Sequence, residues 1–133
     1  MLPALWVMLV VVASLYPIGE IGHTQRIPHS DKIVHFFLYF VLFLLIAAAR
    51  NKRKSDVQPL FYGLLFCVFL GTVIEVLQEI MELGRRFSFF DILANISGTI
   101  TGLTCYIFIE KKTLKSIVKN SIKLASKFKP YGN

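Results

Sequence analysis

Residues 60–82 read LFYGLLFCVFLGTVIEVLQEIME, and this stretch decides the fold class. Its first part, residues 60–74, contains no Asp, Glu, Lys, Arg or His. A helix of about 20 apolar residues crosses the hydrocarbon core of a bilayer. The stretch therefore predicts a membrane span over residues 60–80, and its polar end predicts chemistry near one membrane surface.

Three more apolar blocks accompany this span, at residues 2–16, 33–49 and 92–109. The chain of 133 residues is 55% hydrophobic, with a mean hydropathy of +0.61, and a soluble domain of this size would need more polar surface. The pattern predicts an all-α fold, a four-transmembrane-helix bundle over residues 1–110 followed by a basic tail over residues 111–133. We read the first block as a retained helix rather than a cleaved signal.

The basic residues predict the orientation of these spans. The formal net charge is +7. Four Lys and Arg residues lie in the loop at 50–56 and seven lysines in the tail, against four on the opposite side: Arg26, Lys32, Arg85 and Arg86. Because positive residues favour the cytoplasmic side, both termini are predicted to be cytoplasmic. The same placement, between and after apolar blocks, argues against nucleic-acid binding.

The tail predicts a basic amphipathic helix. Its lysines fall on one helical face and its apolar side chains largely on the other, which suits an anionic cytoplasmic leaflet. A solvated, frayed tail is the alternative. The lysines are Lys111, Lys112, Lys115, Lys119, Lys123, Lys127 and Lys129.

The span at 60–80 carries a polar stripe at its outer end. Glu75, Gln78, Glu79 and Glu82 are spaced i, i+3, i+4 and i+7, so they share one helix face. A carboxylate inside a membrane span costs roughly 3 kcal/mol or more near the centre. Glu75 must therefore face protein or a water-filled cavity, and it needs a partner or its own proton. The predicted partners are Arg85, Arg86 and His35.

The two neighbouring spans place polar residues at the same depth. One begins with Asp31 and His35 and the other with Asp91 and Asn95, each pair spaced i, i+4. Polar groups from three helices are thus predicted to meet in one layer beneath the outer surface, with Arg85 and Arg86 in the loop above it.

Structural explanations exist for several of these residues. Ser88 and Asp91 fit a capping box that starts the fourth helix. Asn95 fits a hydrogen bond between helices, and Gly98 with Gly102 forms a G-x-x-x-G that favours close packing, either within the chain or across a homodimer.

The polar motifs together resemble the VanZ-like family. The resemblance rests on DKIVHFF at 31–37, EVLQ at 75–78, Arg85 followed by FSFFDILAN at 87–95, and the glycines at 98 and 102. It implies a small bacterial membrane protein, located in the cytoplasmic (inner) membrane. The family is named after an accessory factor in resistance to teicoplanin, a role that does not transfer to every member. The positions that match its motifs are Asp31, His35, Glu75, Gln78, Arg85, Asp91 and Asn95.

Two functions follow from the polar layer. In the first, it binds or processes an envelope lipid or lipid-linked headgroup: His35 and Glu75 exchange a proton with Asp91 orienting the histidine, and a ligand-binding set surrounds them. In the second, the layer only fixes helix packing and the protein is non-enzymatic. Catalysis is left open. The ligand-binding set is Asp31, Gln78, Arg85, Arg86 and Asn95, with the arginines suited to phosphate.

No cofactor and no metal are predicted. His35, Glu75 and Asp91 are ligand types that metals accept, but no metal-ligand motif such as H-E-x-x-H occurs. A proton or ion path is also disfavoured, because the other halves of the spans lack ionisable residues of the kind that build relays. The predicted partners are membrane lipids.

Overall fold

The computed structural model describes residues 1–15, 30–49, 58–81 and 87–127. These residues form four α-helices and no strand. The helices are α1 (Leu2–Leu15), α2 (Ser30–Ala49), α3 (Gln58–Ile80) and α4 (Phe89–Lys127). The predicted all-α class is confirmed.

Three of the described helices are long and apolar enough to cross a membrane, within Asp31–Ala49, Gln58–Ile80 and Phe89–Leu124. Only 28% to 33% of each span is buried inside the chain, so most of its apolar surface faces outward, as in a helix that contacts lipid. We therefore conclude that the chain is a membrane protein. α1 has 14 residues and is shorter than a span, so the four-span bundle stays a prediction.

The chain separates into two compact units, Met1–Leu103 and Thr104–Asn133. α4 contributes residues to both and continues without a break past the predicted end of the fourth span at residue 109. A separate tail helix is therefore not confirmed. Between residues 111 and 124 every side chain is exposed, lysines and apolar residues alike. Binding of this segment to the inner leaflet stays a prediction, and so does a domain boundary at residue 110.

The core of the first unit lies where α1, α2 and α3 meet. Tyr39, Leu42, Phe43 and Ile74 are at most 1% exposed. The indole N–H of the half-buried Trp6 donates to the carbonyl of Leu38 at 3.0 Å. This bond joins α1 to the middle of α2.

The two glycines of the G-x-x-x-G motif bring α4 against α2. A Cβ atom on Gly98 would overlap the carbonyl oxygen of Phe36, and one on Gly102 would lie 3.0 Å from the carbonyl oxygen of Phe40. The absence of a side chain thus permits direct backbone contact. Of the two predicted explanations, packing within the chain is the one observed. A homodimer stays a prediction, and these two glycines no longer support it because they pack within the chain.

Candidate functional site

Three ionisable side chains meet where α2 and α4 begin and α3 ends. His35, Glu75 and Asp91 each offer one nitrogen or oxygen atom, and these three atoms lie within 4.8 Å of one another. The residues are 2%, 0% and 6% exposed, respectively. Each comes from a different helix, so the group forms only when all three helices pack. With Lys32 and Asn95, described next, these residues are called the polar cluster.

The flanking members of the polar cluster each contact one of the three. Nζ of Lys32 donates to Oδ1 of Asp91 at 3.0 Å, with the lysine side chain 33% exposed. Nδ1 of His35 lies 3.1 Å from Oδ1 of Asn95. Lys32 and His35 are spaced i, i+3 on α2, and Asp91 and Asn95 are spaced i, i+4 on α4, so each pair shares one helix face.

Glu75 joins α3 to both neighbours. Its Oε1 lies 3.9 Å from Nδ1 of His35, and its Oε2 accepts a hydrogen bond from the backbone N–H of Ser88 at 3.4 Å. The carbonyl of Ser88 accepts from the N–H groups of Asp91 and Ile92 and starts α4. In the predicted capping box the Ser88 N–H would bind the Asp91 carboxylate. Instead that N–H binds Glu75, and the Asp91 carboxylate binds Lys32.

One helical turn deeper lies a second polar group, formed by Tyr39, Gly71 and Asn95. A Cβ atom on Gly71 would lie 2.9 Å from Nδ2 of Asn95 and 3.3 Å from Cζ of Tyr39. Among the described residues, neither Nδ2 of Asn95 nor Oη of Tyr39 has a hydrogen-bond partner, although both atoms are buried. Buried polar atoms usually have one, so this deep layer offers two donors to a water or ligand atom.

The remaining predicted site residues lie elsewhere. Gln78 is buried, and its Nε2 donates to the carbonyl of Ser14 at 2.8 Å, which ties α3 to α1. Glu79 is exposed and accepts from the N–H of Phe87. Asp31 is half-buried in the first turn of α2 and is not a member of the polar cluster. Glu82, Arg85 and Arg86 lie outside the described residues.

Sequence reasoning missed two members of this region. Lys32 was counted only as a charge that sets orientation, although its i, i+3 spacing to His35 already placed it on the same face. Tyr39 lies inside the apolar block at 33–49, although it follows His35 by four residues and so shares its helix face. Counting one helical turn from His35 in each direction, to Lys32 at i−3 and to Tyr39 at i+4, places both on its face.

The polar cluster can exchange protons and bind ions. An imidazole and two carboxylates at this distance can pass a proton or share a cation, and burial strengthens any charge interaction there. The described members of the cluster comprise two carboxyl groups, one imidazole, one amide and one ammonium.

Comparison with known proteins gives one family and one relative. The VanZ/LLP1 family profile matches residues 2–110. An uncharacterized protein of the fission yeast Schizosaccharomyces pombe is 27% identical over 117 residues, which cover 86% of this chain and 67% of the relative. Similarity to this sequence is therefore not confined to bacteria. No solved structure matches the chain significantly.

Proposed function

The chain belongs to the VanZ/LLP1 family, and we propose that its polar cluster binds the polar part of a membrane lipid or lipid-linked precursor. The observation that carries the proposal is the meeting of His35, Glu75 and Asp91 within 4.8 Å, almost fully buried, in helices otherwise built to face lipid. Ionisable groups inside membrane spans are costly and are typically functional.

The rim of the polar cluster suits a headgroup that arrives from the bilayer. Phe87, Phe89 and Phe90 at the start of α4 are 46% to 67% exposed, and aromatic residues favour the membrane interface. Nζ of Lys32 lies 5.9 Å from the centre of the Phe90 ring and is the accessible cation of the cluster. A lipid phosphate can reach this ammonium while its acyl chains remain in the bilayer. Arg85 is a second candidate for phosphate, on sequence grounds alone.

The geometry changes one assigned role. Asn95, not Asp91, lies at hydrogen-bonding distance from the His35 ring, so we assign the positioning of the imidazole to Asn95. His35 and Glu75, 3.9 Å apart, remain the pair that would exchange a proton if a bound headgroup is processed. Asp91 holds Lys32 at the rim. Gln78 fixes α1, and its predicted headgroup contact is not part of the proposal.

A structural role is the second candidate function. It is favoured by the interactions among the cluster members themselves, such as Lys32 with Asp91 and His35 with Asn95. A network of this kind fixes helix register without any ligand. The two candidates differ in whether conservative changes remove a ligand or only lower stability.

Glu75→Gln tests the lipid proposal, and Glu79→Gln on the same helix is its matched control because Glu79 is exposed. After gentle extraction and native mass spectrometry, we expect wild type and Glu79→Gln to retain a lipid. We expect Glu75→Gln to lose at least about tenfold in lipid affinity, or about 1.4 kcal/mol. Equal lipid retention in both variants, with a lower melting temperature for Glu75→Gln, would support the structural candidate instead.

We further propose that both termini are cytoplasmic and that the polar cluster faces the outer leaflet, with the lysine-rich tail against the anionic inner leaflet. The support is the excess of Lys and Arg in the loop at 50–56 and the tail. The tail carries exposed lysines and exposed apolar residues, as a surface-binding segment would.

Cysteine labelling in intact cells tests this orientation. In a background with Cys67→Ser and Cys105→Ser, a membrane-impermeant maleimide should label Gly22→Cys directly. It should label Ser121→Cys only after the membrane is permeabilised, because the two positions lie on opposite predicted sides. The reverse pattern would place the polar cluster in the inner leaflet and refute the proposed orientation.

A further inference from the structure

We propose that His35, Glu75 and Asp91 bind a divalent first-row transition metal ion. The inference rests on the proposed function, because it assigns a ligand to the same polar cluster. It gives that cluster an ion to which a phosphate-bearing headgroup could bind. No metal-ligand motif within one segment predicts this site, although His35, Glu75 and Asp91 are residue types that metals accept. Here each of the three helices supplies one ligand.

The distances among the three ligand atoms already suit a metal ion. For three atoms no more than 4.8 Å apart, there is a point at most about 2.8 Å from each of them. Bonds from Zn²⁺ to histidine nitrogen and carboxylate oxygen are roughly 2.0–2.2 Å long. Each ligand therefore moves by less than about 1 Å, which small side-chain rotations provide.

Each of the three side chains already has the outer partner that metal ligands usually have. Lys32 donates to Asp91, and a backbone N–H donates to Glu75. Oδ1 of Asn95 lies on Nδ1 of His35, so Asn95 is the outer partner when His35 binds the ion through Nε2. Such partners orient the ligands and are a regular feature of metal sites. Asp91 can keep its bond to Lys32 through Oδ1 and bind an ion through its other oxygen.

The deep layer is the second observation that indicates a ligand. Nδ2 of Asn95 and Oη of Tyr39 have no hydrogen-bond partner in the described part of the chain, and both residues are at most 2% exposed. The Asn95 amide is the one that contacts the His35 ring. Its second polar atom and the tyrosine hydroxyl could both donate to a water or anion in the deep layer, one helical turn below the three ligands.

The donor set indicates the class of metal. One imidazole and two carboxylates suit Zn²⁺, Mn²⁺ or Fe²⁺, whereas Mg²⁺ and Ca²⁺ favour oxygen ligands alone and Cu⁺ favours thiolates. A bound dication would offset the cost of burying two carboxyl groups in their charged form.

The test uses the full chain in detergent, stripped with a chelator and then exposed to Zn²⁺ or Co²⁺. We expect about one metal ion per chain by elemental analysis, and a visible absorption band when the ion is Co²⁺. Zn²⁺ affinity should fall at least tenfold in His35→Asn and in Glu75→Gln, and remain unchanged in Glu79→Gln. Equal binding by wild type and both site variants would overturn the inference.

A melting experiment covers variants that fold poorly. Zn²⁺ should raise the melting temperature of the wild type and of Glu79→Gln, because an ion that binds only the folded state stabilises it. No rise in the wild type would overturn the inference without any variant. If the wild type binds no metal but still retains a lipid that depends on Glu75, the metal inference fails and the proposed function stands. If the wild type binds metal but retains no lipid, the proposed function fails and the metal inference stands.

Discussion

Gly98→Ala is expected to destabilise the protein by about 3 kcal/mol, at the upper end of what overpacking usually costs. The new Cβ would overlap the carbonyl oxygen of Phe36 and lie 3.0 Å from its carbonyl carbon. Both atoms belong to the backbone of α2, so no side-chain rotation relieves the clash. The helices must move apart, and in a membrane close packing is itself a main source of helix association.

Gly63→Ala is the matched control. It also adds one methyl group within a span, but the atom it meets at 2.9 Å is the Cγ2 methyl of the Ile46 side chain, which can shift by a few tenths of an ångström without separating two helix backbones. The better helix propensity of alanine offsets part of the remaining strain, so we expect a change below about 1 kcal/mol. Melting temperatures in the same detergent compare the two. Equal losses would show that the contact between α2 and α4 is not held at this distance.

Gly98→Ala should also disturb the polar cluster. Gly98 follows Asn95 by three residues on α4, and Phe36 follows His35 on α2. Moving the two backbones apart lengthens the contact between Asn95 and the His35 ring, now 3.1 Å. Gly98→Ala should therefore weaken lipid retention as well as stability, whereas Gly63→Ala should weaken neither.

Much of this arrangement is predictable from helical spacing. Glu75 on one helix, and His35 and Asn95 one turn inside two others, were expected at a common depth because a buried carboxylate must face protein. The structure does place these residues together. Spacing also predicted the close packing of Gly98 and Gly102, since only a bare backbone allows it.

The remaining contacts depend on how each helix is rotated about its own axis, which residue spacing alone does not determine. Asp31 and Lys32 are adjacent, about 100° apart around α2, and the sequence does not say which of them faces α4. In the structure it is Lys32 that contacts Asp91. The G-x-x-x-G motif likewise does not name its partner, and the stripe on α3 does not show that Gln78 reaches the carbonyl of Ser14 on α1. Each of these choices is decided by tertiary packing.

Lys32→Met is the second change with a large expected effect, a loss of about 2 kcal/mol. It leaves the carboxylate of Asp91, 6% exposed, without the ammonium that donates to it at 3.0 Å. Removing one partner of a fully buried pair costs about 3–5 kcal/mol, and the 33% exposure of the lysine side chain lowers that figure. Asp91→Asn should cost less than about 1 kcal/mol, because the lysine can extend toward water.

A double-mutant cycle separates the ion pair from the proposed metal site. Lys32→Met combined with Asp91→Asn should cost no more than Asp91→Asn alone, because the unpaired charge is gone. Denaturant unfolding in detergent with a chelator present measures this coupling, and simple additivity would contradict a direct interaction. Repeating the cycle with Zn²⁺ then adds the ion. If Asp91 ligates it, Asp91→Asn becomes more costly with the metal than without it. A cost that is the same in both conditions would leave Asp91 as the partner of Lys32 alone.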